Sequence, residues 1–179
     1  MTTETTLSVF VHALPQRILS SNAGARSRRD PWAVAQARGT LKGDVMFAIM
    51  DAHSNPLTVL AGGGTDLPHF DRATATVTLR LTNKKPHATD CRQCVELIAG
   101  GEYPSWSMPA AGKPIPCCHY RPKDVGNMGG DVLKPILDAF TWLEIWPDDD
   151  WKHVPEVTLR IERVETIEEE GICVEVTAA

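Results

Sequence analysis

The stretch RPKDVGNMGGDVLKPILDAFTWLEIWPDDDW, residues 121–151, places Asp124, Asp131 and Asp138, and then the run Asp148, Asp149 and Asp150, on either side of a helical pattern. Val132, Leu133, Ile136, Leu137, Phe140 and Leu143 recur at three- and four-residue spacing, so a helix from about residue 131 to 143 has one apolar face. Asp131 suits its N-cap, and Pro135 is read in its first turn, where backbone N–H groups lack intrahelical partners. Carboxylates brought together at the ends of such a helix repel one another, and a divalent cation is the usual way to neutralise them. The plainer reading of the same residues is a helix cap followed by a solvated acidic turn.

Working outward, the closing segments EVTLRIERV and GICVEVT read as strands, with Val157, Leu159 and Ile161 alternating in the first. Upstream, TATVTLRLT (residues 74–82) puts Val77, Leu79 and Leu81 on one face of another strand, and LSVFVHAL near the N-terminus is a fourth. Asp30 followed by Pro31 signals a helix start, continued by Leu41, Val45, Ala48, Ile49 and Ala52 to about His53. The Gly62–Gly64 run lies in a turn-rich loop and lacks the flanking pattern of a phosphate-binding loop. The order strand, helix, strand, helix, strand, strand predicts one α+β domain over residues 1–179, a small mixed β-sheet packed with two helices. Residues 83–120 interrupt it as an irregular insert, too long for an ordinary connection, so something must hold it.

That insert carries four of the five cysteines. Cys91-x-x-Cys94 has the spacing of a zinc knuckle, and Cys117 with either Cys118 or His119 supplies the second half of a tetrahedral Zn²⁺ site. His87 is a spare candidate, and reduced, metal-free cysteines or a redox pair are the other readings. A structural zinc would fold a stretch that has no core of its own.

At 179 residues, 42% hydrophobic and 23% charged, the chain has enough apolar material for one core. No run approaches the roughly 18 apolar residues of a membrane span, and the first residues do not read as a signal peptide, so the expectation is a cytoplasmic protein. A net charge of −5 argues mildly against binding nucleic acid by bulk electrostatics. The cations are nonetheless grouped, with Arg26, Arg28 and Arg29 in a loop near the start and Arg121 and Lys123 before the acidic stretch.

Lys134, then Asp138-Ala139-Phe140, then Trp146-Pro147-Asp148-Asp149 resembles the RusA family of Holliday-junction resolvases, Mg²⁺-dependent endonucleases of phages and prophages. The family pattern opens with Asp-x-Asp-Asn, where this chain has Asp124-Val125-Gly126-Asn127. Gly126 thus replaces one aspartate, and about four extra residues, including Asp131, precede Lys134. LPQRILSSNAGAR near the N-terminus is a second, looser similarity. The resemblance implies Asp124, Asp131 and Asp149 as Mg²⁺ ligands, with Asp131 substituting for the missing acid. It implies Lys134 as a phosphate or transition-state contact and Asp148 as support. It also implies a homodimer acting on branched DNA by paired symmetric nicks, in recombination and repair, within a bacterial or phage-infected cell. Arg26, Arg28, Arg29, Arg121 and Lys123 are then candidate DNA contacts. The alternative is a non-catalytic, zinc-containing branched-DNA-binding protein on the same scaffold.

Overall fold

The computed structural model describes residues 6–19, 30–53, 67–82, 87–122 and 124–179. Its strands are β1 (Thr6–Val11), β2 (Ala73–Leu81), β3 (Glu156–Arg163) and β4 (Gly171–Ala178), and its α-helices are α1 (Pro31–His53), α2 (Arg92–Ala99) and α3 (Gly130–Trp142). The strict two-residue alternation expected of β2 is present: Ala73, Ala75, Val77, Leu79 and Leu81 are buried and the residues between them are half-exposed. The sheet order is β1-β4-β2-β3, with β4 antiparallel to both neighbours and β2 parallel to β3. The sheet is therefore mixed. Register lines up apolar rungs on one face, Val9–Val174–Val77–Leu159 and Val11–Ile172–Leu79–Ile161. Threonines Thr74, Thr76 and Thr78 occupy the other face of β2.

Both long helices lie on the apolar face. Val34, Ala37, Leu41, Val45 and Ile49 of α1 join Val132, Ile136, Ala139 and Phe140 of α3 in one core with the strands. Burial of each large side chain there contributes about 1.5–3 kcal/mol. Asp30 caps α1 as expected, its Oδ1 accepting the Trp32 N–H at 3.0 Å. Gly171 marks a close approach at the head of β4, because a Cβ there would lie 2.4 Å from the Val11 carbonyl oxygen.

Three expectations need correction. The insert is not wholly irregular, since α2 gives it two helical turns; its stripe of Cys94, Leu97 and Ile98 lies in a helix of only eight residues, too short for periodicity to stand out among the Pro, Gly and Cys around it. The N-cap of α3 is Gly129, so Asp131 lies within the first turn and Pro135 beyond it. The acidic run ETIEEEG, residues 165–171, which along the chain reads as a solvated turn between strands, is more than that. Thr166 and Glu169 form a reciprocal capping box there, and Glu170 is buried.

The end of α3 aims the acidic loop. Glu144 adopts a left-handed φ of 57°, and the Ile145 N–H returns to the Phe140 carbonyl at 3.0 Å while the Glu144 N–H bonds Thr141 at 3.0 Å. This is a Schellman stop. It turns Trp146 back into the core, stacked on Phe140 with centroids 5.0 Å apart, and leaves Asp148–Asp150 beside α3. Among the described residues, no helix is long and apolar enough to cross a membrane.

Candidate functional site

Cys91 precedes α2 and Cys94 sits in its first turn, so the two-residue spacer places both thiols on one side of the helix start. Facing them is an extended strip, Cys117 to Tyr120, held by a bridge between His119 and Gln16 and another between His87 and Pro116. The Tyr120 N–H to Pro15 carbonyl and the Arg17 N–H to Cys118 carbonyl complete that strip's attachment to the segment after β1. The Tyr103 hydroxyl donates to the Pro116 carbonyl and closes the insert over the cluster.

The side chains converge. One ligand atom from each of Cys91, Cys94, Cys117 and His119 lies within 4.8 Å of the other three, and all four residues are buried. His119 Nδ1 is 3.4 Å from the Sγ of both Cys91 and Cys94 and 4.0 Å from that of Cys117, and the Cys94 and Cys117 sulfurs are 3.6 Å apart. An ideal Zn²⁺ tetrahedron with Zn–S of about 2.3 Å and Zn–N of about 2.0 Å requires edges of roughly 3.8 Å between sulfurs and 3.5 Å between sulfur and nitrogen. The cluster can hold a metal ion such as zinc. The backbone N–H groups of Cys118 and His119 each donate to a sulfur, of Cys94 and Cys117 respectively, at 3.4 Å, the kind of support that thiolate ligands need.

Of the open alternatives for the second half, His119 joins Cys117 in the mutual set. Cys118 stands beside it, its sulfur 3.6 Å from that of Cys94 and 3.7 Å from His119 Nδ1. His87 is exposed and outside the group. Without metal, hydrogen bonds from Cys117 and Cys94 hold the Cys91 thiol far below its ordinary range. The bond to Cys117 lowers Cys94, but its bonds to Cys118 and Cys91 and its burial outweigh that and raise it, and Cys117 is raised by its bonds to Cys91 and Cys94 and by burial. Burial opposes protonation of His119, but its bonds to Cys117 and Cys91 carry its pKa up to about 9. The pocket thus stores protons that a cation would displace.

The acidic residues behave differently. Lys134 Nζ donates to Asp138 Oδ1 and to Asp149 Oδ2, each at 2.7 Å, and these carboxylates raise its pKa. Asp131 is ion-paired with Arg38 of α1. Asp124 accepts the Asn127 N–H at 3.2 Å and caps the short turn Val125–Met128. Asp148 accepts the Asp149 N–H at 2.8 Å, and Asp150 binds His153 Nδ1 at 2.8 Å. Among the described residues the Cys/His group is the one set of three or more ligand-type side chains that meets mutually. Asp124, Asp131 and Asp149 do not meet as a Mg²⁺ ligand set in this arrangement. Each carboxylate is instead satisfied by a protein donor.

Arg121, a candidate DNA contact in the sequence, is turned inward. Its side chain is 11% exposed and its Nη2 donates to Glu170 Oε2 at 2.7 Å, against a carboxylate that is 6% exposed. Glu170 Oε1 also accepts the Thr82 N–H at 2.8 Å and hydroxyl at 2.7 Å. Glu170 was hidden in sequence because it ends an acidic run, and only burial separates it from Glu168 and Glu169. Arg26, Arg28, Arg29 and Lys123 lie outside the described residues.

Compared with known proteins, the chain matches no family model and shows no significant similarity to a curated protein.

Proposed function

We propose that this protein is a RusA-type, divalent-metal-dependent endonuclease that acts on four-way DNA junctions, with a zinc-held insert. The observation that carries the reading is the Lys134 bridge: the one lysine in the motif reaches both Asp138, one turn on, and Asp149, beyond the end of α3. Motif members separated along the chain are thereby gathered beside α3. In the proposed site Lys134 exchanges a carboxylate for a phosphate oxygen and places its charge where negative charge develops during phosphodiester cleavage. Asp124, Asp131 and Asp149 are the acids proposed to take Mg²⁺, and a metal-free arrangement in which Arg38 and Lys134 neutralise two of them relieves the same repulsion. A homodimer is proposed to supply the two symmetric cuts.

A second reading has its own support. Gly126 stands where the family pattern has an aspartate, and Asp131, the proposed substitute, is engaged by Arg38. A branched-DNA-binding protein without turnover fits those two facts. Purified protein incubated with a labelled four-way junction and with matched duplex, in Mg²⁺ and in EDTA, separates the readings. Paired symmetric nicks that need both junction and Mg²⁺ support the nuclease. Tight junction binding without any cut defeats it in favour of the binding protein.

A further inference from the structure

We propose that Arg121 is a positioning residue that ties the Cys/His centre to the turn bearing Asp124, so that an occupied centre fixes that end of the acidic group. For its effect on cleavage, the inference rests on the nuclease reading of Asp124.

The connection is short in sequence. His119, a ligand candidate, is followed two residues later by Arg121 and five residues later by Asp124. Arg121 Nη2 donates to Oε2 of Glu170, immediately before β4, and Oε1 of Glu170 accepts both the N–H and the hydroxyl of Thr82, immediately after β2. The guanidinium is therefore fixed to the ends of the two central strands. Beyond it, Asp124 caps the turn whose last residue, Met128, is fully buried in the core. The backbone between metal centre and core thus has two fixed points, His119 and Met128, with the Arg121 clasp between them.

Stability alone is a poor reason for this clasp. A buried ion pair is often no better than apolar packing of the same volume, and Arg121 Nε is buried with no hydrogen-bond partner. What a hydrogen-bonded charge pair held between two strands does well is to define position. Since Cys117 and His119 are ordered by the same strip that leads into Arg121, loss of the metal loosens one end of the path to Asp124.

The test is hydrogen exchange on the full zinc-loaded chain, its EDTA-treated form, and the double variant Arg121→Met with Glu170→Leu, which leaves no buried charge unpaired. Amides of residues 125–128 should exchange about tenfold faster both after EDTA and in the variant. Cobalt substituted into the variant should still give the thiolate charge-transfer and visible bands of a tetrahedral centre. Arg121→Lys, which keeps the charge facing Glu170 but not the planar guanidinium, should be intermediate and serves if the double variant does not fold. Unchanged exchange at 125–128 after EDTA or in the variants overturns the proposal, as does loss of the cobalt spectrum, which would make the clasp part of the centre itself. On junction DNA the variants should lose about 10²-fold in kcat with junction affinity unchanged. A wild-type protein that never cuts would remove the nuclease reading, while the exchange result would still decide the positioning role.

Discussion

Two groups of ligand-type side chains stand within one small fold, and only one of them comes together. Cys91, Cys94, Cys117 and His119 are buried and mutually within 4.8 Å, whereas Asp124 and Asp148 are exposed, Asp131 and Asp149 are half-buried, and each is held by a separate protein donor. The difference is one of alternatives. A buried thiol or imidazole has no water and few other partners, so the neighbouring ligands become its surroundings. A surface carboxylate has water, backbone N–H groups and any cation within reach of a long side chain, and it takes them.

The largest effect that would break this contrast is metal removal. With zinc present at about a thousand times its dissociation constant, binding stabilises by about 4 kcal/mol, so chelation should lower the melting temperature by roughly 8–16 °C in a chain of this size. A chelator that leaves melting unchanged would mean that the cysteines pack as reduced hydrophobic residues. Metal uptake should also be visibly protonic. Cys94, Cys117 and His119 all hold their protons at pH 7, because their pKa values are raised, so each bound zinc should release about three protons and apparent affinity should climb with pH. Calorimetry in buffers of different ionisation enthalpy measures that number.

Next comes the clasp between the two regions. Arg121→Met alone strands the buried Glu170 carboxylate and should cost about 3–5 kcal/mol in a denaturant titration. A loss below 1 kcal/mol would place the pair in effective contact with water. On the acidic side, Asp149→Asn should reduce junction cleavage by about 10²-fold or more, since one of the proposed metal ligands is lost, while junction binding stays equal or tightens as a negative charge is removed. Unchanged cutting would sink the assignment of Asp149. The smallest change is expected for Arg38→Ala, whose half-exposed guanidinium pairs with Asp131 at the surface: its effect on stability should stay within about 1 kcal/mol. If Asp131 is a functional acid, the same variant should shift the Mg²⁺ dependence of cleavage, a sharper readout than stability.

Much of this was legible in the chain. Alternation marked β2 and β3, three- and four-residue spacing marked α1 and α3, and Asp30 before Pro31 marked the start of α1 to the residue. Periodicity carries such information because burial of one face is decided by local geometry. The Cys/His cluster was legible through its chemistry, as few residue types bind zinc and Cys91-x-x-Cys94 has a spacing that fits one ion. The choice between Cys118 and His119 was not, because adjacent residues offer ligand atoms at nearly the same place in the sequence, and only the packing of the strip, held by its bridge to Gln16, decides which one meets the other three.

What the sequence determined by itself is therefore the set of secondary elements, the apolar faces and the kind of atoms offered to a metal. Tertiary structure alone decided who meets whom. It sent Arg121 inward to Glu170, gave Asp131 to Arg38 and Asp149 to Lys134, and ordered the strands as β1-β4-β2-β3. Charges act through space over several ångströms, and their partners come from segments up to 93 positions away along the chain. Only the packing of α1, α3 and the insert against the sheet fixes those distances, and with them the partner each charge finds.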